Sequence, residues 1–316
     1  MKISVIIPTN RQDKLLDFEL PSFRTQTFPK DDFEIIIVDD ACINRKNDVE
    51  SFAIANKLNI KWMRGKKPYY RSNANIGNAR NTGLIHATGE LIIFIDDYSS
   101  ISPAYLEGMW IIYKENSGYS PIGPVTSVEF CDRPFSLKTV STDKRLDLIK
   151  SHGMDTAECP SNWFYTSNAS APMREILKLN GFWEMADLTR EEDALFGLAL
   201  SKNGWKFCFA GSLPVYHMIH SKELGNKRYN QVNYKDLGWD TVDIEGRMVD
   251  GGGPAGRCGL TTAPEEIQLV TKDIFNTKYP GSWGLIEYFN NHPKYRFNEE
   301  TGFDLRKERK EIGMWV

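Results

Sequence analysis

The chain has 316 residues, a length that accommodates one large domain or two of modest size. Apolar residues make up 41% and charged residues 26%, which excludes a disordered or fibrous protein and is typical of a globular one. The formal net charge of −3 excludes a whole-chain field that favours nucleic acid or an anionic membrane, although a local basic patch is compatible with it.

The cysteines indicate neither a metal framework nor a disulfide framework. Their number is odd, no two have the C-x-x-C spacing, and they are Cys42, Cys131, Cys159, Cys208 and Cys258. We therefore expect reduced thiols and a cytoplasmic protein. A strand pattern begins at the first residues, so we expect no signal peptide, and no apolar run approaches the ~20 residues that span a bilayer.

Strand and helix patterns alternate along the first hundred residues. Strands are predicted at 3–8, 33–40, 60–63 and 91–95. Helices are predicted at 13–27, with an irregularity at Pro21, at 48–58 and at 73–89, which would end at Gly89 as a C′ residue. This alternation is typical of βαβ units with a parallel sheet, whose ligands lie at the carboxyl ends of the strands.

The second half of the chain has a less regular pattern. Strands are predicted at 124–130, 205–211 and 213–217, and helices near Pro103, at 170–181 and at 190–204. The last of these helices has a first turn rich in carboxylates, which suits the helix dipole. Beyond about residue 220 the pattern weakens, and the glycine-rich segment 250–259 is predicted to be a loop.

Two pairs of adjacent carboxylates follow two of the predicted strands. Asp39-Asp40 could accept hydrogen bonds from a uracil N–H or from ribose hydroxyls. Asp96-Asp97 offer the oxygen ligands preferred by a hard divalent cation that carries a nucleotide diphosphate. Either pair alone is also explained as a turn or a helix cap. Two such pairs at the ends of strands in one parallel sheet favour a nucleotide-binding site.

The segment NIGNARNTG, at 75–83, offers a basic residue beside this edge. Its glycines, Gly77 and Gly83, would let the helix pack closely on the sheet. Arg80, with Arg71 as a second candidate, could contact phosphate or nucleotide. For either arginine alone, a surface salt bridge is the alternative explanation.

Five segments, taken in order, resemble family 2 glycosyltransferases. They are SVIIPT, EIIIVDDA, NIGNARNTGL, GELIIFIDDYSSISP and NGFWEMADLTREEDALFGLALSKNG. The resemblance covers roughly residues 1–220. It implies a GT-A type α/β fold, with a Rossmann-like, mostly parallel central sheet flanked by helices. It also implies transfer of a sugar from a nucleotide sugar, in most members with inversion.

The resemblance also suggests a division into domains. Residues 1–220 would be the catalytic domain, with 1–103 as the nucleotide-binding half and 104–220 as the half that supplies the acceptor contacts and the base. Residues 221–316 would be a C-terminal extension packed on it, or a lid. The glycine run at 251–253 would then be a hinge or a flexible loop.

The resemblance assigns the family's nucleotide-binding roles to the residues of this chain that match its motifs. Pro8 and Thr9 resemble the loop that contacts the base. Asp40 matches the acidic residue that reads the uracil edge, with Asp39 beside it.

The metal corner departs from the family pattern. Asp96 matches the first aspartate of the D-x-D signature, but Tyr98 stands where the second would be. Asp97 would then substitute with a shifted geometry, or the protein relies less on metal. A histidine after the last predicted strand completes the metal site in many relatives; His217 matches better than His220, and a strand-end histidine packed on the core is the alternative.

The REEDALFGLAL segment resembles the family's E-D motif at a helix start. The resemblance makes Asp193 the general base, with Glu192 beside it; alone, such acids could simply complement the helix dipole. The segment 163–175 resembles the one that lines the donor sugar and the acceptor. Its candidates are Trp163 and Asn168, and a core role is the alternative for the aromatic ring.

The predicted function is therefore an inverting glycosyltransferase with a UDP-linked donor, a carbohydrate or other hydroxyl acceptor, and Mn²⁺ or Mg²⁺. One alternative acceptor is a modified base in DNA, for which a basic cluster of Lys222, Lys227, Arg228 and Lys235 would supply phosphate contacts and salt-sensitive binding. A third interpretation, motivated by Tyr98, is an inactive protein that only binds nucleotide sugars.

Overall fold

Strands and helices alternate through the first half of the chain, as predicted. The computed structural model describes residues 1–9, 15–39, 45–65, 76–130, 137–151, 154–184, 192–218, 296–298 and 302–314. The strands in these residues are β1 (Ile3–Thr9), β2 (Phe33–Asp39), β3 (Ile60–Met63), β4 (Leu91–Phe94), β5 (Ser99–Ile101), β6 (Tyr119–Ile122), β7 (Val125–Phe130), β8 (Leu137–Ser141), β9 (Thr156–Cys159), β10 (Ala169–Pro172), β11 (Lys206–Ala210) and β12 (Val215–Met218). The α-helices are α1 (Leu20–Arg24), α2 (Lys46–Asn56), α3 (Ile76–His86), α4 (Tyr105–Glu115), α5 (Lys144–Ser151), α6 (Met173–Leu179), α7 (Glu192–Lys202) and α8 (Leu305–Glu311). A π-helical turn at Leu15–Glu19 precedes α1, and short 3₁₀ turns lie at Lys30–Asp32 and Ser161–Trp163.

An eight-stranded sheet has the order β3-β2-β1-β4-β10-β6-β11-β9. Its first four strands in this order are mutually parallel, and β11 is parallel to β6. Strand β10 is antiparallel to both of its neighbours, and β9 is antiparallel to β11. The predicted α/β fold class is confirmed, with the four-stranded parallel part of the sheet in the N-terminal half.

The carboxyl ends of several strands meet at one edge of this sheet. Thr9 at the end of β1 lies opposite Asp39 at the end of β2, and β4 runs parallel to both. The first residue of the antiparallel β10, Ala169, lies opposite Phe94 of β4 and Ile122 of β6. The last residues of β1, β2 and β4 and the first residue of β10 therefore share this edge.

A second sheet, of four strands in the order β5-β12-β7-β8, begins directly after the Asp96-Asp97 pair. The sequence pattern did not predict β5, because three residues are too few to show the alternation of apolar and polar residues by which a strand is recognised. A small apolar cluster, made by Phe18, Tyr98, Val128 and Met218, packs against this sheet.

The main core lies on both faces of the large sheet. Every residue of β1 and β2 is buried, as is usual for parallel strands covered on both faces. Helix α3 packs closely on β1 at Gly83, where a Cβ atom would lie 2.5 Å from Cγ2 of Ile6. The predicted packing role of Gly83 is therefore confirmed.

Two local predictions were wrong. Gly89 is not a left-handed cap of α3; a Cβ there would lie 2.4 Å from the backbone nitrogen of Ser4, so a close approach to β1 explains this glycine. The helix predicted at 170–181 begins only at Met173. The residues before it form β10 and pair with β4, and Pro172, with ψ near 140°, is the N-cap residue of α6.

The described C-terminal residues pack against the ends of α6 and α3. Asn180, the left-handed C-cap of α6, donates hydrogen bonds to the carbonyls of Phe297 and Phe303 and accepts one from the backbone of Leu305. Arg309 of α8 donates to carbonyls at the end of α3. The division into domains stays a prediction, since residues 219–295 lie outside the described part. Within the described residues, no helix is both long enough and apolar enough to cross a bilayer.

Candidate active site

The carboxylates that follow β4 differ in their environment. Asp97 is 9% exposed, and its Oδ2 accepts a hydrogen bond of 3.0 Å from the hydroxyl of Thr9 at the end of β1. The side chain of Asp96 is 34% exposed. Asp97 therefore ties β4 to β1, and Asp96 is the member of the pair that is accessible from solvent.

Arg80 connects this corner to the start of α7. Its side chain is 2% exposed, and its Nη1 lies 2.8 Å from Oε1 of Glu192 while its Nη2 lies 3.3 Å from Oδ1 of Asp96. The guanidinium also lies 5.4 Å from the ring centroid of Phe182. The contact with phosphate predicted for Arg80 stays a prediction, and in this structure the buried guanidinium contacts two carboxylates.

The charge of Arg80 is secured by its surroundings. Burial alone would lower the pKa of Arg80, but the carboxylates of Glu192, Asp96 and Asp193 outweigh burial and raise the pKa above its ordinary value. A permanent positive charge thus lies among three acids, two from the predicted E-D motif and one from the predicted metal corner.

Asp193 lies in the first turn of α7, where the helix dipole favours a negative charge. Its Oδ2 accepts a 3.4 Å hydrogen bond from the backbone N–H of Thr166, in the segment just before β10. Helix α7 is held against this segment at Gly197, where a Cβ would lie 2.5 Å from Cβ of Phe164. The structure thus brings Asp193, Glu192, Arg80 and Asp96 together.

Asp39 is fully buried and neutralised by residues that the sequence interpretation missed. Arg45 donates from Nε and Nη2 to the two carboxylate oxygens, at 2.9 and 2.8 Å. The indole N–H of Trp62 donates to the same carboxylate at 3.0 Å, and Arg64 donates to the Asp39 carbonyl at 3.2 Å. The sequence places the acidic Asp39 at the end of a buried strand, and this position was the signal that a cation must lie close by.

Several other predicted binding residues lie outside the described residues or in the framework. Asp40, Arg71 and His220 are outside the described part of the chain. Pro8 is buried within β1, and Gly77 is buried within α3.

Asn168 lies in the core of the structure. It is fully buried, and its amide accepts from the hydroxyl of Tyr105 and donates to the carbonyls of Pro124 and Leu213. It therefore anchors the segment before β10, and its role at a sugar site stays a prediction. The ring of Trp163 packs edge-on against Phe209, with centroids 5.4 Å apart, which is the alternative core role considered for it.

The ring of Tyr98 is buried in the small cluster of the second sheet, and its backbone has a left-handed φ of 62°. His217 lies opposite Ser99, and its Nδ1 is 3.2 Å from the Ser99 hydroxyl oxygen. Across the ranges given above, no three His, Cys, Asp or Glu side chains are grouped so that they could hold a metal ion. The exposed carboxylate of Asp96 still fits a hard cation that takes its other ligands from phosphate and water.

Comparison with known proteins extends these observations. The family model described as Glycosyl transferase family 2 matches residues 4–177. Poly(ribitol-phosphate) beta-N-acetylglucosaminyltransferase TarS of Staphylococcus aureus Mu50 is 34% identical over 320 residues, covering 100% of this chain and 48% of that protein. Validoxylamine A glucosyltransferase of Streptomyces hygroscopicus subsp. limoneus is 26% identical over 223 residues, covering 64% of this chain and 48% of that protein. The chain thus spans about half the length of these curated relatives.

Solved structures show a shared fold. The S. aureus TarS 1-349 complex with UDP superposes with a TM-score of 0.53 at 20% identity, covering 89% of this chain and 73% of that one. The mannosyltransferase PcManGT from Pyrobaculum calidifontis, in complex with GDP-Man and Mn²⁺, gives a TM-score of 0.52 at 16% identity and covers 90% of this chain and 72% of that one. The GT-A architecture expected from the sequence is thereby confirmed.

Proposed function

Since the chain belongs to glycosyl transferase family 2, we propose that it transfers a sugar from a nucleotide diphosphate sugar to an acceptor hydroxyl, with inversion at the anomeric carbon. The observation that carries this proposal is the buried Arg80 bridge. It joins Asp96, at the strand-end corner, to Glu192, in the first turn of the helix that carries Asp193. Ligands of open α/β sheets lie at the carboxyl ends of the strands, so Asp193 borders the place where the donor would lie.

Asp193 is the proposed general base. The acceptor oxygen attacks the anomeric carbon and forms the new glycosidic bond while its proton passes to the Asp193 carboxylate. The bond from the anomeric carbon to the leaving diphosphate oxygen breaks at the same time. Proton transfer to a positioned base contributes about 10²–10⁴-fold to such a reaction. The Thr166 N–H holds this carboxylate, and the nearby Arg80 cation compensates its charge.

The donor is proposed to be UDP-linked. Two structures of S. aureus TarS contain UDP and UDP-GlcNAc, which supports a uridine nucleotide here. Pro8, Thr9, Asp39 and Asp40 remain the proposed base-binding edge. Because Arg45 already holds both carboxylate oxygens of Asp39, Asp40 is the better candidate for a direct contact with the uracil edge.

A divalent cation, Mn²⁺ or Mg²⁺, is proposed to accompany the donor. Asp96 would hold it through its exposed carboxylate, with Asp97 and His217 as the further predicted ligands. When bound there, the cation would neutralise charge on the leaving diphosphate.

The structure weakens the argument for an inactive protein. That interpretation depended on Tyr98 in place of the second D-x-D aspartate. The Tyr98 ring is buried in the apolar cluster of the second sheet, so its presence has a packing explanation. We do not propose the DNA acceptor, because neither relative's name refers to nucleic acid and the four basic residues lie outside the described part of the chain.

The test of the proposed function is Asp193→Asn in the full chain. We expect transfer from a UDP-sugar to fall by about 10²-fold or more, while the thermal shift produced by the UDP-sugar stays near the wild-type value. The matched control is Asp147→Asn, which changes an exposed aspartate in the first turn of α5 and should leave both measurements unchanged. Transfer by Asp193→Asn near the wild-type rate would contradict the assignment of the base.

A further inference from the structure

An exposed aromatic side chain lies in the segment that contacts the proposed base. Tyr165 is 43% exposed, although its two chain neighbours, Phe164 and Thr166, are buried. A large aromatic ring left partly in water between two buried residues has an apolar face that no core packing explains.

The position of this ring is fixed by a cation. The guanidinium of Arg145 lies 4.4 Å from the ring centroid of Tyr165 and 5.1 Å from that of Phe209. Arg145 is itself buried and held by Asp143 through Nε and Nη2, and by the carbonyl of Gly123 at 3.2 Å. The ring of Tyr165 therefore packs on a buried guanidinium whose charge is balanced by a carboxylate, and this contact restricts the ring in addition to its own backbone.

The backbone that carries Tyr165 is fixed as well. The N–H of Asn168 donates to the Tyr165 carbonyl at 3.0 Å, which closes a turn, and the Asn168 side chain anchors that turn in the core. The next residue after Tyr165, Thr166, donates its N–H to Asp193. The residue before it, Phe164, packs against Phe196 of α7, with ring centroids 5.5 Å apart. Tyr165 is thus preorganised one residue away from a direct contact with the proposed base.

We infer that Tyr165 is an acceptor-binding residue whose exposed ring stacks on the C–H groups of the carbohydrate next to the attacked hydroxyl. This inference rests on the proposed function, because it takes Asp193 as the base that the acceptor must reach. The C–H groups of a sugar carry a small positive charge and present an apolar surface, which suits the face of an aromatic ring. The same chemistry is offered by a pyranose ring and by an open-chain polyol, so the experiment must include both.

The test compares Tyr165→Leu and Tyr165→Phe in the full chain. Leucine removes the flat ring while it keeps an apolar side chain, and phenylalanine keeps the ring. We expect Tyr165→Leu to raise the acceptor KM about tenfold and Tyr165→Phe to leave it near the wild-type value. In both variants the donor KM and the rate of donor hydrolysis without acceptor should stay near the wild-type values.

Tyr119→Leu is the matched control. Tyr119 also carries a cation over its ring, Lys206 at 5.3 Å, but it begins β6 and so lies at the edge of the sheet away from the site. Circular dichroism and thermal melting of each variant show whether the fold is retained. This control should leave the acceptor KM unchanged.

Acceptors of both kinds, pyranosides and open-chain polyol phosphates, are measured with each variant. A raised acceptor KM in Tyr165→Leu for either kind of acceptor supports the inference, and it shows which kind supplies the C–H groups that stack on the ring. An unchanged acceptor KM for both kinds, or an equal rise in the donor KM, would overturn it. If the wild-type chain neither binds nor hydrolyses any nucleotide sugar, the proposed function itself fails, which is a separate and distinguishable result.

Discussion

Replacing Arg80 with methionine would leave Glu192, whose side chain is only 12% exposed, without its ion partner. At an effective dielectric constant of 20, two unit charges about 4 Å apart attract by ~4 kcal/mol, which is the scale for the contact of Arg80 with Glu192. The pair with Asp96 contributes less, about 0–1 kcal/mol, because that carboxylate is a third exposed and screened by water. We therefore expect a loss of about 3–5 kcal/mol, as is usual when one partner of a buried pair is removed.

A double variant separates the charge effect from the loss of packing. In Arg80→Met with Glu192→Leu no buried charge is left unpaired, so most of the lost stability should return. Thermal melting is the assay: for a chain of this length, a loss of about 3 kcal/mol lowers Tm by about 5 °C. A decrease of less than about 1 °C in the single variant, or no recovery in the double variant, would refute the idea that Arg80 serves to compensate these acids.

Two further predictions concern the end of the sheet opposite the site. Arg309→Met should lower the free energy of unfolding by about 2–4 kcal/mol, because it removes charged hydrogen bonds of 2.6 and 2.7 Å to the carbonyls of Leu84 and Ala87. Urea unfolding measures this loss, with Arg306→Met as the control. Equal unfolding midpoints of the two variants would contradict the prediction. Burial alone would raise the pKa of Glu34, but Lys61 and neighbouring hydrogen-bond donors outweigh burial and lower the pKa below 4.5. Ionised Glu34 therefore stabilises the fold above pH 4.5, and that contribution is lost as the pH falls through its folded-state pKa. Glu34→Gln should melt lower at pH 7 and lose less stability on acidification, whereas a melting curve with the wild-type pH dependence would contradict this.

The edge of the sheet that we propose to bind the nucleotide was predictable as a structural feature, because its strands carry strong signals. Fully apolar runs such as 35–38 allow little besides a buried strand, and an acid that follows such a run must lie at its end. The second sheet was harder, because β5 is three residues long and β8 has mostly exposed side chains. Neither strand shows enough alternation of buried and exposed residues to be recognised before the tertiary structure is known.

Side-chain roles were less predictable than strands, and Asn168 shows the reason. A polar residue that closely follows a run of aromatic residues resembles a ligand contact in a sequence. Its actual partners, Tyr105 and the carbonyls of Pro124 and Leu213, come from segments that are 44 to 63 residues away along the chain. The same applies to Arg80 and Glu192, which are 112 residues apart. Only the fold reveals that a buried polar group is already satisfied.

Tyr98 illustrates how a departure from a motif can have a cause in packing. A left-handed backbone at an aromatic residue costs on the order of 1–3 kcal/mol, and glycine or asparagine would adopt it more readily. The ring offsets this cost by burial in the cluster with Phe18, Val128 and Met218, and its carbonyl accepts a 2.9 Å hydrogen bond from the N–H of Met218. Tyr98 therefore fastens the end of the Asp96-Asp97 turn to β12, the strand that carries His217. Where the D-x-D signature of the family would place a second acid, this chain has a structural anchor, so the divalent cation that we propose at the corner would depend chiefly on the partly exposed carboxylate of Asp96.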